Sequence, residues 1–205
     1  MARRNKIEPG EFGKGEPLNS EELEKLRRSI TGEHYLTANP TYAPDLIELC
    51  AFFTREFGVP ASVYYPSCDM DATPVRAFPN SKVTLLDING KAVSALKRKG
   101  IEAIEGDART YRPTELYDLL ILLNPGIKST DATPALKVGG YVISNDWHGN
   151  TTQLLALPKD FDFKGIAQRH KETGLTSLMA IEESKALMAK TDPFFNLYAF
   201  FQKIH

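Results

Sequence analysis

Residues 82–107 of the sequence read KVTLLDINGKAVSALKRKGIEAIEGD, and this stretch decides the fold. It begins with an apolar run that ends at Asp87, continues with Val93 and Leu96 at helical spacing, and returns to a second apolar run. The middle segment closes on three basic residues and Gly100, which the helix dipole and the left-handed glycine cap both favour. The stretch therefore predicts a strand, a helix and a second strand parallel to the first.

The same alternation of apolar runs and helical segments continues on both sides of this stretch. Apolar runs predict strands at residues 61–65, 82–88, 101–105, 117–123, 141–144, 161–168 and 195–202. Helices are predicted at residues 20–31, 44–57, 90–99 and 182–190, with a short one running toward residue 78. Repeated strand–helix–strand units connect by right-handed crossovers, so we expect an α/β fold with a doubly wound, mostly parallel, seven-stranded sheet and N-terminal helices.

The first part of the chain differs from the rest in composition and in the spacing of its apolar residues. Residues 1–20 combine glycine, proline and charge without an apolar period, which is typical of a mobile or loosely docked arm. We therefore divide the chain into an N-terminal arm with helices over residues 1–58, which pack on the core, and a sheet domain over residues 59–205.

Composition and charge limit the classes of function. Apolar residues make up 42% of the chain and charged residues 25%, an ordinary balance for a globular protein. The net charge of -1 gives no overall attraction to nucleic acid or to an anionic membrane. Two cysteines without metal-ligand spacing, a charged N-terminus and a longest apolar run of only residues 119–123 predict a reduced, cytoplasmic protein with no membrane segment.

Polar or glycine-bearing segments follow each of the first five predicted strands. In doubly wound sheets, ligands bind outside the carboxyl ends of the strands, near the point where the strand order reverses. The segments that should meet there are residues 66–71, 87–89, 106–108, 124–126 and 145–148. The sequence therefore predicts a ligand site along one edge of the sheet.

Asp87 is the sharpest candidate in these segments. It closes an apolar strand and follows Ser67, in the first loop, by 20 positions. At this spacing an acidic side chain accepts hydrogen bonds from the two hydroxyls of a ligand ribose. The alternative is a helix cap, in which Asp87 or Asn89 binds the free amides of the next helix.

Asp107 closes the third strand in the run IEAIEGDA at residues 101–108. A carboxylate at this place can lie beside an adenine amino group, and Gly106 permits a close backbone approach. A surface turn explains the Gly-Asp pair equally well.

Four runs of the sequence, two of which overlap residues 82–107, carry a resemblance to a known protein family. They are LLDIN at 85–89, IEGDA at 104–108, YDLLILLNPG at 117–126 and LKVGGYVISND at 136–146. In this order they resemble the second, third, fourth and following motifs of the class I S-adenosylmethionine (SAM)-dependent methyltransferases, which have a Rossmann-like fold. The resemblance extends over about residues 60–203, and the late pair of strands is similar to the antiparallel final hairpin of that family.

The resemblance implies SAM as the cofactor and methyl transfer to a small molecule or an unidentified acceptor. Asp87 would then bind the ribose, Asp107 and Ala108 would contact the adenine, and the first loop would lie under the methionine part. The cofactor-binding residues expected on this basis are Tyr65, Pro66, Ser67, Cys68, Asp69, Asp87, Ile88, Asp107, Ala108 and Asn124.

The first loop departs from the family pattern. The family has a glycine-rich turn here, which lets the backbone pass close to the cofactor, whereas residues 64–75 read YYPSCDMDATPV. Without glycine, the side chains of Cys68, Asp69 and Met70 narrow the approach or strain the backbone. Asp69 or Asp71 offers a carboxylate to the ammonium group of the cofactor.

Asn124-Pro125-Gly126 partly resembles the Asn/Asp-Pro-Pro-aromatic motif of amino-methyltransferases, in which polar oxygens hold a target nitrogen. The second proline and the aromatic residue are missing, which disfavours methylation of nucleic-acid bases. A plain turn between a strand and a helix is the alternative for this segment.

The segment after the fifth strand supplies the remaining catalytic candidates. His148 titrates near neutral pH and is a candidate general base, while Asp146 can orient it or bind substrate. With Asn124, these two residues form the predicted catalytic set. The alternative for His148 is a polar surface residue.

Three functions compete on this sequence. The first is a SAM-dependent methyltransferase that acts on a small molecule or an unidentified acceptor. The second is a non-catalytic binding protein on the same scaffold with a degenerate cofactor pocket, which the glycine-free loop motivates. The third, a nicotinamide-dependent oxidoreductase, needs a glycine-rich loop for the pyrophosphate and ranks last.

Overall fold

A computed structural model describes most of the chain. The residues described are Tyr35, 38–170, 174–175, 178–179, 182–184 and 197–205. The predicted arm at 1–20 and the predicted helix at 20–31 lie outside them. The division of the chain at residue 58 stays a prediction for the same reason.

The described residues form eight strands, five α-helices and one 3-10 helix. The strands are β1 (Ser62–Pro66), β2 (Lys82–Asp87), β3 (Ala103–Glu105), β4 (Tyr117–Leu122), β5 (Leu136–Ser144), β6 (Phe161–His170), β7 (Gly174–Leu175) and β8 (Leu197–Lys203). The helices are α1 (Pro44–Phe57), α2 (Thr73–Ala77), α3 (Gly90–Arg98), α4 (Ser129–Ala132) and α5 (Asn150–Leu155), with the 3-10 helix at Thr133–Ala135. No helix in the described part of the chain is long and apolar enough to cross a membrane.

All eight strands belong to one sheet with the order β3-β2-β1-β4-β5-β8-β6-β7. Strands β1 to β5 pair in parallel, and β8 is inserted between β5 and β6, antiparallel to both. The predicted doubly wound, mostly parallel sheet is therefore confirmed, and the two-residue β7 extends its seven main strands at one edge. The strand order reverses between β1 and β4, and this point positions the candidate site.

The apolar run of β4 shows why the sheet is buried on both faces. Leu119 and Ile121 belong to the core cluster that contains the buried side chains of α1 and α3. Leu120 and Leu122 belong to a second cluster, on the α5 side. Because successive side chains of a strand point to opposite faces, only a continuous apolar run can serve both clusters.

The predicted strand and helix positions agree with the structure to within a few residues, with two kinds of difference. β5 begins at Leu136, five residues before the predicted start, because Gly139 and Gly140 resemble a turn in the sequence but lie within the strand. The helices α4 and α5 were not predicted, since four and six residues are too short to show a helical period. Of the helix predicted at 182–190, only 182–184 are described, and they are helical.

Replacing Phe200 by alanine tests the placement of β8 in the middle of the core. Phe200 is fully buried, and its ring centroid lies 5.5 Å from those of Phe52 and Phe57 on α1. We expect Phe200→Ala to lower the free energy of unfolding by about 3–5 kcal/mol, measured by urea denaturation. Ile104→Ala on the edge strand, where the side chain is 39% exposed, is the control and should cost less than about 1 kcal/mol. Equal losses for the two variants would contradict this core.

Candidate functional site

The carboxyl ends of the five parallel strands bring the predicted polar segments to one edge of the sheet. The loop after β1 occupies the centre, because β1 lies next to the reversal of strand order. The segment after β2 flanks it on one side, with the segment after β3 beyond. The segments after β4 and β5 flank it on the other side. The edge therefore has two halves that meet at the loop after β1, which we call the first loop (residues 66–72).

The first loop takes a left-handed backbone without any glycine. Ser67 has a φ of 56° and Asp69 a φ of 46°. For residues with a Cβ, this conformation costs roughly 1–2 kcal/mol each, with aspartate among the more tolerant. The strain predicted from the absence of glycine is therefore present, and other groups have to hold the loop in place.

Cys68, Asp69 and Met70 were expected to narrow the approach to the edge, but not all three side chains do so. Cys68 and Met70 are only 3% and 4% exposed, and they pack in the same core cluster as the buried residues of α1. Asp69, by contrast, is exposed. The buried thiol of Cys68 has a raised pKa, because burial and the nearby carboxylate of Asp87 both disfavour its thiolate, which makes it a poor nucleophile.

Asp87 is the main group that holds the first loop. One of its carboxylate oxygens accepts a hydrogen bond from the backbone N–H of Asp69 at 2.7 Å, and the other accepts one from the backbone N–H of Asn89 at 2.8 Å. The side chain at the end of β2 thus fixes the turn after β1. The carboxylate keeps lone-pair capacity with which it can accept a bond from a ligand.

Burial makes the ionised form of the Asp87 carboxylate unfavourable. The residue is 7% exposed, and burial raises its pKa. The backbone N–H groups of Asn89, Asp69 and Ile88 oppose this shift, while the charge of Asp69 adds to it. A carboxylate that is poorly solvated yet fixed in direction gains from a ligand that donates hydrogen bonds to it.

Asn89, and not Asp87, caps the following helix. Its side-chain oxygen accepts a hydrogen bond from the backbone N–H of Lys91 at 3.2 Å, at the start of α3. The helix-cap alternative considered for Asp87 therefore describes Asn89. The Nδ2 of Asn89 is buried and faces the Tyr35 hydroxyl, where it opposes the rise in pKa that burial and Asp69 cause.

Tyr35 and Thr41 attach the preceding chain segment to the first loop. The Tyr35 hydroxyl donates to the Asp69 carboxylate at 2.8 Å. The backbone N–H of Thr41 donates to the carbonyl of Met70 at 2.8 Å, and its carbonyl accepts from Ala72 at 3.0 Å. Both residues act from about 30 positions away and belong to no motif, so no local pattern in the sequence points to them.

Asp107, at the end of β3, is already engaged by a neighbouring side chain. The Arg109 guanidinium contacts both carboxylate oxygens at 2.5–3.0 Å, and the Arg109 backbone N–H donates to one of them at 2.9 Å. A ligand contact at Asp107 would have to share the carboxylate with this arginine. The adjacent Ala108 is buried in the core cluster on the α5 side.

The other half of the edge contains a reciprocal pair of amides. Asn145, after β5, accepts from the backbone N–H of Asn124 at 3.3 Å and donates to the side-chain oxygen of Asn124 at 2.9 Å. Asn124 has a φ of 54° and is exposed. The sequence analysis named Asn124 but did not foresee this partner.

Asp146 stabilises the helix that follows it, whereas His148 is partly buried in the same loop. The two oxygens of Asp146 accept from the backbone N–H and the hydroxyl of Thr152, at 2.8 and 2.5 Å, and so fix the start of α5. His148 is half-buried, and burial lowers its pKa, which favours the neutral imidazole. The roles predicted for the two residues remain predictions.

Carboxylates dominate the charge at the β1–β3 half of the edge. The acidic residues there are Asp69, Asp71, Asp87, Glu105 and Asp107. Of these, only Asp107 forms an ion pair within the part of the chain that the structure describes, with Arg109. The excess negative charge favours a cationic ligand and opposes a phosphate. No cluster of metal-binding side chains is present among the described residues.

A separate groove of about 460 Å³ lies beside the edge strand β3, away from these loops. Its lining comes from the middle of β2, the last turn of α3 and the segment leading into β3. None of the predicted site residues contributes to it.

Comparison with solved structures identifies the fold. The N-methyltransferase NodS from Bradyrhizobium japonicum, in complex with S-adenosyl-L-homocysteine (SAH), matches with a TM-score of 0.56 and 16% identity, over 90% of this chain and 98% of that one. A TehB-like SAM-dependent methyltransferase from Corynebacterium glutamicum matches with a TM-score of 0.52 and 14% identity, over 90% and 100% of the two chains. The plantazolicin methyltransferase BpumL, also with SAH, gives a TM-score of 0.52 at 14% identity, over 91% and 92%.

These similarities show that the chain has the fold of the class I SAM-dependent methyltransferases, as the motifs had indicated. The sequence itself matches no protein-family model and no curated protein. At 14–16% identity, the structural likeness extends to the fold alone.

The pH dependence of stability tests the environment of Asp87. Because burial raises its pKa in the folded state, the folded protein holds this proton more tightly than the unfolded chain does. The contribution of the protonated group to the free energy of unfolding should then be lost as the pH rises above about 4. The free energies of unfolding of the wild type and Asp87→Asn are measured by urea denaturation at a series of pH values. As the pH rises over this range, the wild type should lose stability relative to the variant. A constant difference would contradict the raised pKa.

Proposed function

We propose that the protein is a SAM-dependent methyltransferase that acts on a small molecule in the cytoplasm. The observation that carries this proposal is the buried carboxylate of Asp87 at the tip of β2, next to the reversal of strand order. Its oxygens are fixed in direction by backbone amides, and the carboxylate keeps capacity to accept a hydrogen bond from a ligand. Two adjacent ribose hydroxyls are donors that suit this pair of oxygens.

The conformation of the first loop supports the same assignment. Ser67 and Asp69 have the positive φ values that glycine usually supplies in a tight turn below a nucleotide. The loop therefore has the backbone course that the fold needs, although its sequence is atypical.

The positions of the other predicted residues along the edge indicate the remaining cofactor contacts. In this proposal Ile88, Asp107 and Ala108 lie along the adenine, with Asp107 also bound by Arg109. The methionine part lies over Tyr65 and the first half of the first loop, toward Asn124. When bound, the cofactor supplies an activated methyl group on a cationic sulfonium, so the protein contributes mainly binding and orientation.

Electrostatics distinguish this cofactor from a dinucleotide. The carboxylates at the β1–β3 half of the edge attract the sulfonium and ammonium charges of SAM. The same charges repel the pyrophosphate of a nicotinamide cofactor, which needs backbone donors and a positive environment. A methyltransferase is therefore favoured over an oxidoreductase on this site.

The substrate is placed at the half of the edge formed by the ends of β4 and β5. Asn124 is exposed there and can contact the acceptor. His148 is a candidate to take a proton from the acceptor, since its lowered pKa leaves the imidazole neutral. Asp146 orients the loop through Thr152, and its contribution to the reaction is positional.

A non-catalytic binding protein is the second candidate, and one observation favours it. The backbone of the first loop and the Tyr35 hydroxyl already bind the carboxylates of Asp87 and Asp69. The chain's own groups thus satisfy part of the edge that a cofactor would use. In this alternative the same scaffold serves as a binding module without methyl transfer.

Titration calorimetry with SAH tests the proposed function. The wild-type protein should bind SAH, and Asp87→Asn should weaken binding by about tenfold or more, because a charge-assisted hydrogen bond contributes about 1.5–3 kcal/mol. Asp162→Asn is a matched control, since Asp162 is a half-exposed partner of Lys164 on β6, and its affinity should equal that of the wild type. Absence of binding at millimolar SAH, or equal affinities for all three proteins, would reject the proposal.

Restoring glycine in the first loop separates the two candidates. The double variant Ser67→Gly, Asp69→Gly relieves the strain at two positions of positive φ but also removes the Asp69 carboxylate, so a methyltransferase should bind SAH more tightly than the corresponding alanine pair does. The matched variant Ser67→Ala, Asp69→Ala loses the same polar groups but keeps the strain, and should bind more weakly. Binding by the glycine variant alone, with none by the wild type, would support the non-catalytic alternative.

A further inference from the structure

Tyr35 brings a hydroxyl group to the tip of β2 from outside the parallel part of the sheet. The residue is 5% exposed and packs in the core cluster that contains the buried side chains of α1 and α3. Its carbonyl accepts a hydrogen bond at 2.5 Å from the guanidinium of Arg98, the last residue of α3. Because the ring and the backbone are both held, the hydroxyl has a defined position.

The hydroxyl lies beside the two residues that hold the Asp87 carboxylate. It donates to the Asp69 carboxylate at 2.8 Å, and the Nδ2 of Asn89 faces it. The backbone N–H groups of the same two residues bind the oxygens of Asp87, at 2.7 and 2.8 Å. Burial, Asp69 and the charge of Asp87 all raise the pKa of the Tyr35 phenol. The phenol and the Asp87 carboxylate are therefore close neighbours at one strand tip.

A phenol hydroxyl and a ribose hydroxyl have the same hydrogen-bonding groups. Each combines an O–H donor with an acceptor oxygen, so either suits a place between the Asp69 carboxylate and the Nδ2 of Asn89. The proposed function puts the ribose at the adjacent Asp87, which is only 7% exposed. In a close-packed environment two oxygens cannot occupy that place together. A ribose at Asp87 therefore competes with the Tyr35 hydroxyl.

We propose that the Tyr35 hydroxyl takes the place of a ribose hydroxyl at the tip of β2 and leaves it when a nucleoside cofactor binds. This inference rests on the proposed function, in which Asp87 binds the ribose, and it adds a residue that sets the affinity for the cofactor. Binding exchanges the protein's own hydroxyl for that of the ligand, so this ligand hydroxyl brings only a small net gain. The apparent affinity also falls with the fraction of molecules in which Tyr35 keeps its position.

Tyr35→Phe removes the competing oxygen and retains the packing of the ring. The hydrogen bond from Arg98 goes to the backbone carbonyl, so the variant keeps it. Without its polar contacts, the ring yields to the ribose more readily. We expect Tyr35→Phe to bind SAH about threefold or more tightly than the wild type, measured by calorimetry. Tyr35→Leu, which replaces the ring by a shorter apolar side chain, gives a second reading and should shift the affinity in the same direction.

Two nucleosides test whether the gain comes from a ribose hydroxyl. Adenosine has both hydroxyls of the SAH ribose, whereas dideoxyadenosine has neither, and the affinities of both are measured by competition with SAH. The ratio of the adenosine affinity to the dideoxyadenosine affinity should be about fivefold or more larger in Tyr35→Phe than in the wild type. Only the hydroxyls gain from the place that the phenol oxygen has left. A general effect on packing would change both affinities equally and leave the ratio unchanged.

Tyr42→Phe is the matched control. Tyr42 is 40% exposed, and the centroid of its ring lies 5.5 Å from the guanidinium carbon of Arg76. The variant loses the same atom from the same type of residue. Its affinity for SAH and its nucleoside ratio should therefore equal those of the wild type.

The outcomes separate this inference from the proposed function. If the wild type does not bind SAH, the proposed function fails at the first titration, and this inference fails with it. If the wild type binds SAH but Tyr35→Phe binds it equally or more weakly, the hydroxyl is no competitor and the inference alone is overturned. An unchanged nucleoside ratio in Tyr35→Phe, or an equal change in Tyr42→Phe, overturns it as well.

Discussion

The hydrogen bond from the Asp69 backbone to the Asp87 carboxylate is the constraint on which this site depends. It joins the loop after β1 to the tip of β2 at 2.7 Å. Without glycine, the loop does not favour its left-handed turns at Ser67 and Asp69. A buried carboxylate, which is costly to leave unpaired, offsets that strain by binding the loop amide. The two unfavourable features thus stabilise each other.

Asp87 therefore has two roles in the molecule. It is a structural acceptor for two backbone amides, and it retains lone pairs directed at the edge of the sheet. In a protein with a glycine-rich turn, the loop would need less help and the carboxylate would serve the ligand alone. Tyr35 and Thr41 extend the same support from the preceding segment. The loop is therefore maintained by contacts that are distant in sequence, and this explains how the fold persists with an altered first motif.

The two halves of the edge differ in polarity, and the difference has chemical meaning. The β1–β3 half is rich in carboxylates and suits a cation that donates hydrogen bonds. The β4–β5 half presents the amide donors of Asn124, while the oxygens of Asn124 and Asp146 are engaged within the protein.

The sequence by itself determined the succession of the seven main strands and of helices α1 to α3, the buried β4 and the position of Asp87 at a strand tip. These features follow from local periodicity and from the handedness of crossovers, which act over short stretches of chain. Only the tertiary structure decided the insertion of β8 between β5 and β6, the attachment of Tyr35 to Asp69 and the direction of the Asn124 amide. Each of these depends on a contact between residues more than 20 positions apart. Such contacts leave no periodic trace in the sequence, because their partners meet only when the sheet has formed.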